Sequence, residues 1–106
     1  MPQPESPTDP IRSEFSRDPD MAELINMFVE EMPSRMESIS ECYREQRLTE
    51  LQTIAHQLKG SGAGYGFEPV SLTAAQLEAS LKSHSDLESI RDEVEALLDV
   101  CRRLAS

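Results

Sequence analysis

The chain has no tryptophan, two cysteines, two histidines and four glycines, and ten basic residues stand against twenty acidic ones for a net charge of -10. Each shortage excludes something. With no Trp and 5% aromatics, the core must be aliphatic, built from Leu, Ile, Val, Met and Ala. A surface so short of Lys and Arg repels a phosphate backbone, which argues against nucleic acid and, by the same charge, against anionic membranes. No apolar run approaches the roughly 18 residues of a membrane span. The N-terminal "MPQPESPTDP" has neither a basic start nor an apolar stretch, so it does not read as a signal peptide. Cys42 and Cys101 are far apart and lack a CxxC spacing. They read as reduced, half-buried thiols of a cytoplasmic chain, with a disulfide between them as the less favoured alternative.

What is present is helical pattern. A length of 106 residues fits one domain with a modest core. Residues 1–10 hold four prolines and read as a disordered or polyproline tail, leaving 11–106 as the folded domain. Ile11 and Phe15, four apart, fit one or two turns of helix packed on the body. A long helix opens at Asp18 as cap with Pro19 in the first position. Its apolar stripe runs Leu24, Ile25, Phe28, Val29, Met32, Met36, Ile39, Tyr43. Pro33 interrupts the backbone, but the stripe stays in phase beyond it. A kink is expected there, and two helices meeting at Pro33 is the alternative.

After a connection around Gln46–Leu48, the next helix puts Leu51, Ile54, Ala55, Leu58 and Gly62 on one face and fades near Tyr65. Phe67-Glu68-Pro69 reads as a turn with Pro at a helix start, and the helix that follows buries Val70, Thr73, Ala74, Leu77 and Leu81. Ser85 and Glu88 form an S-x-x-E capping box for the last helix, which buries Leu87, Ile90, Val94, Leu97, Cys101 and Leu104. No segment alternates with period two, so no strand is expected. The pattern predicts an all-α, antiparallel up-down-up-down four-helix bundle with a short extra N-terminal helix.

All four glycines fall in one stretch, "HQLKGSGAGYG", His56 to Gly66. Glycine-rich runs beside lysine suggest phosphate loops, but neither the Walker spacing nor G-x-G-x-x-G after a strand is present. A metal site has no support either, since His56 and His84 lie on different segments and position 60 is a glycine. On a helical wheel of about 100° per residue with Leu51 at zero, His56 falls at about 140° and Gly60 at about 180°. Both therefore face away from the core, with Lys59 on the flank. A glycine there costs about 1 kcal/mol of helix propensity without any return in packing. It does clear the approach to the imidazole, whose ordinary pKa of about 6.5 leaves much of it neutral and nucleophilic. The bland alternative is a solvated surface histidine.

"AHQLKGSGAGYG", with Leu77-Glu78 in the following helix, resembles the signature of histidine phosphotransfer (HPt) domains. Their motif runs H-x-L-K-G, then small residues, then a helix-ending Gly. His56, Leu58, Lys59, Gly60 and Gly66 match it in order. "FVEEMPSRMESISE" is similar to the family's long helix, proline included. The resemblance implies that His56 accepts a phosphoryl group on Nε2 from the aspartyl phosphate of a receiver domain and passes it to another. Lys59 would balance phosphate charge and Gly60 leave room, with Gln57, Gly66 and Glu78 in support. It further implies a monomeric carrier rather than an enzyme, with receiver domains or a hybrid histidine kinase as partners. Mg²⁺ would belong to the receiver, and this chain would need no cofactor. The competing reading is a helical docking module that binds a signalling partner without being phosphorylated. The sequence departs from the family at Arg47-Leu48-Thr49, where an Asp cap is common, in the extra glycine of 62–64, and at Val70 in place of Leu.

Overall fold

The computed structural model describes residues 9–106 and contains four helices: α1 (Pro19–Arg44), α2 (Leu48–Gly64), α3 (Glu68–Lys82) and α4 (Leu87–Arg103). Two short strands frame them, β1 (Ile11–Arg12) and β2 (Leu104–Ala105), paired in parallel. Sequence neighbours pack side by side, α1 on α2, α2 on α3 and α3 on α4, and α4 closes back onto α1. The core lies between all four. Its fully buried members include Ile39, Leu51, Leu58, Val70, Leu77 and Leu97. Most of the tail expected at 1–10 lies outside the described residues.

Local sequence explains where each helix begins. The Asp18 side chain accepts a hydrogen bond from the backbone of Asp20 at 2.9 Å, and Pro19 occupies the first position. Pro33 does not end the helix, and α1 runs continuously through it. The capping box expected at Ser85 does not form. Asp86, one residue later, is the cap and accepts from the backbone of Ser89 at 2.8 Å. Aspartate is at least as good a cap as serine, and starting there puts Leu87 in the first turn, where it is exposed rather than buried. Leu24, at the edge of the α1 stripe, is exposed too. Helix α2 starts at Leu48 with Arg47 in the cap position and no side-chain cap.

All three helix connections use the same device. Tyr65, Glu45 and Ser83 cap α2, α1 and α3, and the next residue in each case takes a positive φ: Gly66 at 80°, Gln46 at 60° and His84 at 56°. At α2, Phe67 N–H donates to the carbonyl of Gly62 and Gly66 N–H to that of Ala63, at 2.8 and 3.2 Å. This is a Schellman turn. Gln46 and His84 occupy a conformation that costs a residue with a Cβ about 1 kcal/mol or more. Replacing Gln46 with glycine is therefore expected to stabilise the fold by up to about 1 kcal/mol, read as a higher urea midpoint at unchanged slope.

The N-terminal turn of helix expected at Ile11–Phe15 is instead a strand followed by tight turns. Ile11 and Arg12 pair with Leu104 and Ala105. Ser13 is buried; its hydroxyl donates to the carbonyl of Tyr65 at 2.5 Å and accepts from the backbone of Phe15. Glu14 N–H donates to the carbonyl of Gly66 at 2.9 Å. The segment is thus strapped between the chain's last residues and the end of α2, where strand hydrogen bonds supply what a short isolated helix cannot.

The core also departs from a purely aliphatic one. Phe28 stacks on Phe67 with ring centroids 5.5 Å apart and meets Tyr65 at 4.9 Å. Cys42 and Cys101 are buried free thiols rather than half-buried ones. Burial pushes the Cys101 thiol up to about 11. Both are expected to resist alkylation at neutral pH until the protein is unfolded, which a timed thiol-labelling experiment in rising urea checks. The helix-surface pairs Glu31–Arg35 and Asp99–Arg103 stand at 3.6 and 3.5 Å, distances at which exposed pairs contribute little.

Candidate functional site

His56 projects from the outer face of α2 with its side chain 67% exposed, as the wheel placed it. Across from it, Glu78 of α3 is nearly buried, its side chain 6% exposed. The helices come this close because α2 carries Gly62 at the contact. A Cβ built there would stand 2.9 Å from the backbone nitrogen of Ser71 and 3.0 Å from Cβ of Val70. Ser71 Oγ adds a hydrogen bond to the carbonyl of Lys59 at 2.8 Å, pinning α3 against the motif.

Glu78 gathers three partners. Its Oε2 lies 2.8 Å from Nδ1 of His56 and 3.4 Å from Nζ of Lys82, and its Oε1 lies 2.7 Å from Nζ of Lys59. The Lys59 ammonium, together with the hydrogen bonds from His56 and Lys82, outweighs burial and holds the carboxyl down at about 2. At neutral pH it is a carboxylate and only accepts hydrogen bonds. Nδ1 of His56 must therefore carry the hydrogen it donates. In the neutral ring that leaves the Nε2 lone pair unprotonated and available as a nucleophile.

The other expected site residues divide. Gly60 follows His56 by one turn, and a Cβ built there meets nothing within 4 Å. Nothing inside the protein requires glycine at this position. Lys59, expected to balance phosphate, is already engaged with Glu78. Gly66 belongs to the strapped turn rather than to the imidazole: its φ is positive and a Cβ would collide with Ser13 Oγ at 2.5 Å. Gln57 is exposed on α2, and its backbone carbonyl accepts from Ser61 Oγ. No packing reason explains Gly64, which has open space around it. Lys82 escaped the sequence reading. Its signal was available, since it sits one turn after Glu78 on the same helix face.

A shallow hollow of about 280 Å³ opens beside the imidazole, walled by Gln52, Thr53, His56, Glu78 and Lys82. Among the described residues, no helix is long and apolar enough to cross a membrane. A family model described as the Hpt domain matches residues 23–106, most of the chain and all of the site. No curated protein and no solved structure matches it.

Proposed function

The chain belongs to the Hpt domain family, whose members carry phosphoryl groups on histidine in two-component phosphorelays, and from that premise we propose that His56 is the phosphoryl acceptor of this protein. The observation that carries the reading is the 2.8 Å contact between Glu78 and Nδ1 of an imidazole that otherwise stands in solvent. A solvated histidine of no function has no use for a buried carboxylate that fixes its tautomer.

The step follows from that geometry. The Nε2 lone pair attacks the phosphorus of a receiver's aspartyl phosphate. The N–P bond forms as the P–O bond breaks, and the aspartate leaves as a carboxylate. The ring becomes positive as the bond forms, with the hydrogen on Nδ1 facing Glu78. That carboxylate stabilises the developing charge, as preorganised electrostatics do elsewhere. Lys59 keeps Glu78 ionised for the task. Gly60 leaves the approach open. Mg²⁺ and the acidic residues that bind it belong to the receiver, so this chain supplies a positioned nucleophile and no cofactor. Reversal of the step onto a second receiver completes the relay.

We take 11–106 as the folding unit, because the segment before the family match is tied to Tyr65, Gly66 and the last strand. The short connections and the order of neighbouring helices support an up-down-up-down antiparallel course. Incubation with a phosphorylated receiver domain and Mg²⁺ is expected to give an acid-labile, base-stable label on the protein. A docking module would bind that receiver and take no label.

A further inference from the structure

The hollow beside His56 is not lined by Lys59. Its walls are Gln52, Thr53, His56, Glu78 and Lys82, so a group attached to the ring and lying in that space meets Lys82. The two lysines are also held differently. Lys59 stands 2.7 Å from Oε1 of Glu78, the shortest of the three contacts to that carboxylate. Lys82 stands 3.4 Å from Oε2, an oxygen already engaged by Nδ1 of His56 at 2.8 Å. Lys82 is the longer partner of a shared oxygen, and its side chain is 58% exposed against 40% for Lys59.

A loose ion pair in water is worth little, whereas a phosphoryl group carries nearly two negative charges and three acceptor oxygens. When that group arrives, the lysine with least to lose by turning toward it is Lys82. Glu78 then keeps Lys59 and the Nδ1–H, so no buried carboxylate is left unpaired. Release of Lys59 would instead remove the shortest partner of a nearly buried charge, the costlier exchange. Resting on the acceptor reading of His56, we infer that Lys82 is the cation that pairs with the phosphoryl group on His56, while Lys59 stays with Glu78. This reverses the role expected of Lys59 from the motif.

The test uses the full chain loaded at His56 with phosphoramidate, a small phosphoryl donor that needs no receiver. Phosphorus NMR then follows the ionisation of the phosphohistidine as the pH is changed. A nearby ammonium favours the dianion, so Lys82→Gln is expected to raise the midpoint by about half a pH unit, and Lys82→Arg to restore it. Lys59→Gln is expected to move it less. A Lys82→Gln midpoint at the wild-type value overturns the inference, and so does a larger shift in Lys59→Gln than in Lys82→Gln. Failure of wild-type His56 to take any phosphoryl group overturns the acceptor reading itself. Normal loading with an unmoved Lys82→Gln midpoint overturns only the assignment of Lys82.

Discussion

Gly60→Gln is expected to make the protein more stable and a poorer phosphoryl acceptor at once. Gly60 is exposed in the body of α2, and a side chain there meets nothing inside the protein. Glutamine is a far better helix former, so the substitution should add about 0.5 kcal/mol. It also places a long side chain one turn from His56, on the face a receiver must approach. Transfer from a phosphorylated receiver is expected to slow by about tenfold or more, since small displacements of reacting groups are costly in rate. Gly62→Val gives the opposite pattern. Its Cβ would press on the backbone of Ser71 and on Val70, neither of which can turn aside. Overpacking of that kind costs about 3 kcal/mol, a large part of the stability of a small domain. Thermal melts and transfer rates of the two variants check both halves. Equal transfer by Gly60→Gln and wild type would remove the steric account of that glycine.

The second large effect concerns Glu78. Glu78→Gln keeps the size of the side chain and loses its charge. The amide can present its NH₂ to the ring, which moves the hydrogen from Nδ1 to Nε2 and blocks the nucleophile. Even with the amide oxygen facing Nδ1, the charge that offsets the positive ring is gone. Transfer is expected to fall by about two orders of magnitude, in the range seen when a single preorganised electrostatic group is removed from a catalytic site.

The same residue leaves a signature in stability. Its folded carboxyl is held at about 2 against an ordinary 4.5. The unfolded chain therefore takes up this proton first as the pH falls. Stability from Glu78 is complete above about 4.5 and is lost as the pH falls toward about 2. Denaturation curves of wild type and Glu78→Gln should therefore converge over that window and stay apart at neutral pH. A gap that does not narrow would contradict the ion-pair account of this carboxylate.

These predictions draw on features of unequal visibility in the sequence. The helices were legible because each carries an apolar stripe of period 3.6, and Asp18-Pro19 marks a start through a capping carboxylate and a proline at the first position. The outward direction of His56 followed from the same periodicity. The partnership of His56 with Glu78 is between helices, and only the family resemblance pointed to that glutamate, in a supporting role. Its burial and its three cationic or hydrogen-bonding partners depend on how closely α2 and α3 approach, which Gly62 decides. The strap at Ile11–Ser13 was illegible for a plainer reason. A two-residue strand has no period to detect, and its partner lies at the far end of the chain. Phe67 reads as part of the turn before α3, yet after the Schellman turn that ends α2 its side chain is buried in the core, where it stacks on Phe28 of α1.

The central claim is that one atom, Nε2 of His56, takes the phosphoryl group. Its most direct test is the labelling of wild type and His56→Gln by the same phosphorylated receiver with Mg²⁺, with both variants shown to be folded. The account predicts an acid-labile, base-stable label on wild type, located at His56 by peptide mapping, and none on His56→Gln. Equal labelling of the two proteins, or a label mapped to any other residue, would contradict it.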